Sequence, residues 1–291
     1  MFPTNSSIAL IGYGEVGGIF ARELQARGAA TIRAFDIKFA PGTAAGDGAA
    51  EFCHAAADAI PGAGLVFSAV TAAETLTAAR AAAPHIGQGA FYVDLNSASP
   101  GMKREAAALI NGAGGRYVEA AVMASVPPYK LKVPMLLGGP HAGDFLAFAA
   151  PLELDARIYD SDYGRASAVK LCRSVLTKGI EALLTESMMA ARHYGVEADV
   201  LASLADMLPL PDWNKTARYM ISRSVLHGRR RAEEMREAAR MVAEAGIAPL
   251  MSERIADRQA STFAKARAGG VQADAALVEL ADGLLAAERM A

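Results

Sequence analysis

The chain has 291 residues, 53% hydrophobic and 21% charged, with a formal net charge of −2. That is enough for two domains with sizeable cores, and it excludes a disordered chain. The balanced charge argues against a nucleic-acid partner, and two cysteines, Cys53 and Cys172, make neither a disulfide framework nor a four-thiolate metal site. With no leader pattern and no run of apolar residues long enough to span a bilayer, the expectation is a cytoplasmic protein without membrane partner or metal.

Residues 6–11 are a short apolar run, read as a buried strand. Gly12-Tyr13-Gly14-Glu15-Val16-Gly17 follows at once, and Val16, Ile19, Phe20 and Leu24 then recur at helical spacing as far as Gly28. A second strand, 31–35, ends at Asp36. Strand, glycine turn, helix, strand and acid in this order form a dinucleotide-binding fingerprint. Gly12 makes the tight turn, Gly14 lets the backbone approach a pyrophosphate, and Gly17 lets the helix pack closely. Tyr13, Glu15 and Val16 share the turn, and the helix N-terminus offers N–H groups to the phosphates. Asp36 suits the ribose hydroxyls of NAD and repels a 2′-phosphate. Arg33 and Lys38 flank it, so the cofactor is NAD or NADP, with NAD favoured.

Residues 40–47 read as a loop. Strands are expected at 65–70, 90–95, 117–122, 133–137 and 157–159, with helices at 72–83, 100–111 and 141–150 between them. Ser99 and Pro100 suit the start of the second of these helices. The alternation predicts a parallel, doubly wound sheet, in which ligands bind beyond the carboxyl ends of the strands. Val70, Thr71, Asn96, Ser97 and Met123 lie at such ends. Residues 160–164 are polar and turn-rich, which divides the chain into a Rossmann-like cofactor domain, 1–162, and a second domain, 163–291.

After Gly164 the periodicity is helical throughout. A long helix, 164–194, joins the two domains and carries Lys170, Ser174, Thr177, Lys178 and Glu181 on one face. Further helices are expected at 198–208, 212–225 with Asp212 as cap, 228–245, 249–268 and 274–289, the first two separated by Pro209-Leu210-Pro211.

These motifs resemble the β-hydroxyacid dehydrogenase family, which includes 3-hydroxyisobutyrate and 6-phosphogluconate dehydrogenases. The likeness runs through the glycine turn, Asp94-Leu95-Asn96-Ser97-Ala98-Ser99-Pro100, Glu119-Ala120-Ala121-Val122-Met123-Ala124, and Gly164 to Lys170, the last being similar to the family's G-x-G-x-x-x-K. It implies that Lys170 is the catalytic acid/base. It implies also that Asn96, Ser97 and the positions of Met123 and Ser125 meet the substrate; Ser174 and Lys178 are further substrate candidates by their spacing alone, on the same polar face of the helix as Lys170. Met123 and Ala124 replace the family's carboxylate-binding Ser-Gly, Ser174 replaces an Asn, and the late Lys-Asp pair becomes Glu233-Glu234, so substrate identity does not carry over.

The expected activity is hydride transfer between a nicotinamide cofactor and a β-hydroxy acid or related alcohol. A lysine serves as the proton carrier if burial and cationic neighbours such as Lys178 lower its pKa. Two other readings stay open: reduction of C=N bonds on the same fold, against which Lys170 counts, and nucleotide binding without chemistry. Arg229, Arg230 and Arg231, with His227 before them, offer an anion clamp, but three successive residues point around a helix, and Glu233, Glu234 and Glu237 suit ordinary pairs with them. Relatives in the family pair through the helical domain, so a homodimer or larger homo-oligomer is expected.

Overall fold

The computed structural model describes residues 7–29, 31–39, 46–207 and 212–289, without the side chains of 206 and 207. Residues 40–45 of the expected loop and the expected break at Pro209-Leu210-Pro211 lie outside them. The chain divides into two compact units, Met1–Leu171 and Cys172–Ala291.

The first unit opens with β1 (Ser7–Ile11), α1 (Glu15–Ala26), β2 (Thr31–Phe35), β3 (Glu51–Cys53), α2 (Ala56–Ala59) and β4 (Ala63–Ser68). It goes on through α3 (Thr75–Ala82), β5 (Phe91–Asp94), α4 (Pro100–Gly112), β6 (Arg116–Val122), α5 (Val126–Tyr129), β7 (Met135–Gly138), α6 (Ala142–Phe148) and β8 (Ala156–Asp160). The strands form one eight-stranded sheet in the order β3-β2-β1-β4-β5-β6-β7-β8. Alternate residues of β1 face opposite sides, as the pleat requires. Ile8 and Leu10 join Phe20, Leu24, Phe67 and Phe145 in one core, while Ala9 and Ile11 join Val66, Ala79, Tyr92 and Ile110 in the other. Burial on both faces is why these strands read as continuous apolar runs.

Two features depart from the expected parallel sheet. Strand β3 is too short to show a period, and it exists because it pairs with β2 at the sheet edge. Strands β6 and β7 pair antiparallel. Their connection holds only the four-residue α5 and a 3-10 turn, where parallel pairing needs a long crossover. The other pairs are parallel.

Helix α7 (Arg165–Tyr194) is 30 residues long. The second unit takes its residues from Cys172 on, together with α8 (Glu197–Met207), α9 (Trp213–Glu244), α10 (Leu250–Ala268) and α11 (Leu277–Arg289). Its core holds Leu184, Met188, Trp213, Ile221, Leu280 and Leu284. Asp212 caps α9, accepting from Lys215 N at 2.9 Å. The expected interruption at Gly228 is absent, and α9 runs unbroken for 32 residues. Gly228 is there for packing: a Cβ would lie 2.4 Å from the Gln259 carbonyl oxygen of α10. No helix among the described residues is long and apolar enough to cross a membrane.

Candidate cofactor and substrate site

The strand order reverses between β1 and β4, so the loops leaving their carboxyl ends part on either side of a crevice. Gly12 N donates to Phe35 O at 2.8 Å and Ala69 N to Ile11 O at 2.7 Å, tying the ends of β2, β1 and β4 together. Gly12 has φ +91, and a Cβ there would sit 2.4 Å from Ala69 O. At Gly17 a Cβ would sit 2.1 Å from Gly12 O. A Cβ on Gly14 would meet nothing within 4 Å. The outer glycines therefore close the turn, and the middle one faces open space at the N-terminus of α1, which no side chain among the described residues caps. This cradle suits a pyrophosphate.

Asp36 is buried, with Oδ2 accepting from Tyr13 N at 2.7 Å and Oδ1 from Lys38 N at 3.0 Å. It fixes the turn and keeps carboxylate lone pairs free for ribose hydroxyls. Tyr13 packs edge-on to Phe52, and its hydroxyl donates to Asp47 at 2.8 Å. Burial, then the Asp47 carboxylate, pushes that phenol's pKa upward. Arg33 turns away from the turn's ligand face: it donates to Asp58 O at 2.8 Å and to Pro61 O. Glu15 is exposed and Val16 half-buried in the first turn of α1.

On the other side of the crevice, Asn96 Oδ1 accepts from Val70 N at 2.8 Å, and its amide donates to Ser68 Oγ at 3.0 Å. Asn96 itself is held from below, since Asp94 Oδ1 accepts from Asn96 N at 2.9 Å. Asp94 also pairs with the fully buried Lys103 at 2.9 Å and accepts from Tyr117 OH at 2.6 Å. Thr71 is exposed beyond β4, and Ser97 is half-buried before the Ser99 cap of α4. Lys103 and Tyr117 carry no motif, so sequence reasoning missed them. A lysine on the apolar face of a helix was the available signal.

Met123 follows β6 and, like Val169, packs against the cluster of Ala121, Leu136 and Ala166. Lys170, the residue after Val169, is half-buried on α7. In the first unit, Met123 and the first turns of α7 therefore share one apolar cluster at the carboxyl edge of the sheet. Ser125 is exposed ahead of α5. Glu119, buried in β6, accepts from Gly164 N at 2.5 Å and from Ser167 N at 2.6 Å.

The remaining candidates lie in the second unit. Lys178 is buried, 3.0 Å from Glu234 and donating to Ser174 Oγ at 3.1 Å. Arg229 and Arg230 face outward, 3.8 and 3.6 Å from Glu233 and Glu234. Arg231 instead turns inward to Glu181 at 3.0 Å. Burial raises the pKa of Glu181 and lowers that of Arg231, each against the pull of the other. Gln259 donates to Glu181 at 3.3 Å. These residues form a polar core inside the helical unit.

Residues 7–142 match the family model described as the NAD binding domain of 6-phosphogluconate dehydrogenase, and residues 191–262 match a domain of unknown function (DUF1932). A conserved hypothetical protein from Sinorhizobium meliloti 1021 is 35% identical, with 97% of this chain and 96% of that one covered and a TM-score of 0.77. The conserved protein MTH1747, of unknown function and structurally similar to 3-hydroxyacid dehydrogenases, is 32% identical over 88% of this chain and 97% of its own, with a TM-score of 0.65. The 3-hydroxyisobutyrate dehydrogenase of Mycobacterium tuberculosis, solved with L-serine, is 19% identical over 96% and 99%, and its TM-score of 0.69 marks a shared fold. The fold is thus NAD-binding and dehydrogenase-like, and the second matched segment lies in the helical unit. The chain belongs to the β-hydroxyacid dehydrogenase-like family, in a branch with a divergent C-terminal domain.

Proposed function

We propose that the protein is an NAD(P)-dependent oxidoreductase acting on the carbinol of a β-hydroxy acid or related alcohol, with Lys170 as general acid/base. The observation that carries this is the position of Lys170 one residue past Val169, which packs against the same Ala121, Leu136 and Ala166 cluster as Met123, on the edge of the sheet that bears the glycine turn and Asn96. A nicotinamide cofactor, which the Gly12–Gly17 turn and Asp36 would hold, would supply or take up the hydride when bound. Lys170 takes the hydroxyl proton in oxidation and returns it in reduction, a role a half-buried amine fills when its charged form is disfavoured. Asn96 and Ser97 orient the substrate oxygen. Met123 presents an apolar wall where relatives bind a carboxylate, and Ser125 is the nearest hydroxyl in sequence.

NAD is the preferred cofactor in this reading. Asp36 repels a 2′-phosphate, and Arg33 is occupied by backbone carbonyls. Two copies pair through the helical unit, where α7 leaves Leu176 and Leu183 exposed at heptad spacing. A monomer by light scattering at micromolar concentration counts against the pairing.

The test is a panel of β-hydroxy acids and aromatic alcohols with NAD and NADP, run on wild type and Lys170→Ala. Turnover should fall roughly 10²- to 10⁴-fold in the variant, with NAD affinity kept. Unchanged turnover overturns the assignment of Lys170. Turnover of imines alone moves the reaction to C=N bonds, and tight NAD binding without turnover leaves a binding protein.

A further inference from the structure

Glu119 sits in β6 with none of its surface exposed. A carboxylate in that position is costly unless strongly hydrogen-bonded. Its donors come from the opening of α7. Oε2 accepts from Gly164 N at 2.5 Å, and Oε1 accepts from Ser167 N at 2.6 Å and Ser167 Oγ at 2.5 Å. The N-terminus of a helix has unpaired N–H groups and a positive dipole end, so a buried anion is at home there. The surroundings are shaped for the contact. A Cβ on Gly138 would lie 2.7 Å from Glu119 Oε2. Gly164 takes φ +98, and a Cβ there would lie 2.8 Å from Pro100 Cβ. Tyr163 OH donates to Tyr117 O, one strand position away from the carboxylate's own neighbour, at 3.1 Å.

We infer that Glu119 is the positioning residue for Lys170, an inference that rests on the proposed role of that lysine. Its two oxygens hold two different residues of the helix start. One contact alone would set how close α7 comes to β6, and the pair also sets its rotation. Lys170 lies three residues beyond Ser167, so the rotation fixed there is the rotation of the lysine. Strand β6 ends at Val122 and Met123 follows it directly, so the strand that carries the anchor of the proton carrier leads straight into the substrate wall. A misplacement of the lysine by an ångström is enough to slow the chemistry without touching cofactor binding.

Glu119→Gln keeps the size of the side chain but turns one acceptor into a donor facing the helix N–H groups. With an accepted substrate, kcat should fall about 10- to 100-fold, with the Kd for NAD unchanged because the glycine turn and Asp36 do not contact Glu119. Two readouts do not depend on activity. Amide exchange over residues 164–170 should speed up on the order of tenfold, with α4 unaffected. The NMR resonance of ¹³C-dimethylated Lys170, assigned with Lys170→Arg, should shift and titrate at a different pH. Ser167→Ala, which removes one of the three bonds, is the milder variant in case Glu119→Gln does not fold, and it should move all readouts in the same direction by less. Exchange and resonance unchanged in a folded variant overturn the positioning role. Loss of the catalytic reading is seen separately, as wild-type turnover in Lys170→Ala.

Discussion

Asn96 bridges two strand ends, with its Oδ1 accepting from Val70 N and its amide donating to Ser68 Oγ. Asn96→Ala leaves the Val70 N–H without this acceptor. It should cost about 1–3 kcal/mol of stability and weaken NAD binding, because the β4 loop loses its support at the mouth of the crevice. Denaturant titration and NAD titration measure the two effects. A destabilised variant with unaltered NAD affinity would remove Asn96 from the cofactor site and leave it a structural bridge.

The glycines of the turn should separate folding from binding. Gly17→Ala brings a Cβ to 2.1 Å from Gly12 O and should destabilise by about 1–3 kcal/mol. Gly14→Ala meets open space at a φ of −81, so its melting temperature should match wild type while NAD affinity drops. Normal NAD binding by Gly14→Ala would mean the pyrophosphate does not approach there.

Gly228→Ala distinguishes a helix break from a packing contact by the sign of its effect. Helix propensity alone favours Ala by about 1 kcal/mol. Here the added Cβ would lie 2.4 Å from Gln259 O and 2.8 Å from Phe263 Cβ. Pushing α9 off α10 should prevail, with a net loss of about 1–3 kcal/mol. A stabilised variant in urea melts would contradict this packing.

His227 gives the helical unit an acid-sensitive element. Burial, then Arg223, Arg230 and Arg231, push its pKa from 6.5 down to about 4, with Glu234 pulling the other way. Between those values the unfolded chain binds the proton and the folded chain does not. Stability therefore falls as pH drops through this window, and the loss is complete below it. Glu181 acts in the opposite sense, since burial raises its pKa and its contribution declines as pH rises above 4.5. His227→Gln isolates the histidine: between about pH 7 and about pH 4.5 its stability should decline less than that of wild type. Parallel declines would show that His227 does not titrate in this way.

Much of the cofactor half could be read without coordinates because its signals are local. Gly12, Gly14, Gly17 and Asp36 each answer a demand made within a few residues or across one strand pair. Ser99 and Asp212 cap helices through N–H groups three residues on. Charge pairing of Arg229 and Arg230 with residues one turn ahead is likewise a matter of spacing.

What sequence could not supply depended on partners far away along the chain. Gly228 looks like a stop until α10 is laid against it. Strand β3 is a strand only beside β2, and β7 runs antiparallel because its short connection cannot cross the sheet. Of three consecutive arginines, Arg231 alone turns inward because Glu181 waits there at 3.0 Å. Glu119 reads as one more strand residue until it meets Gly164 and Ser167. By itself the sequence determined the cofactor turn, the alternation of strands and helices that follows it and the caps, since backbone conformation and helix periodicity are short-range. Tertiary structure alone decided which buried charges face one another, because burial makes an unpaired charge too costly to leave and the partner can come from anywhere in the chain.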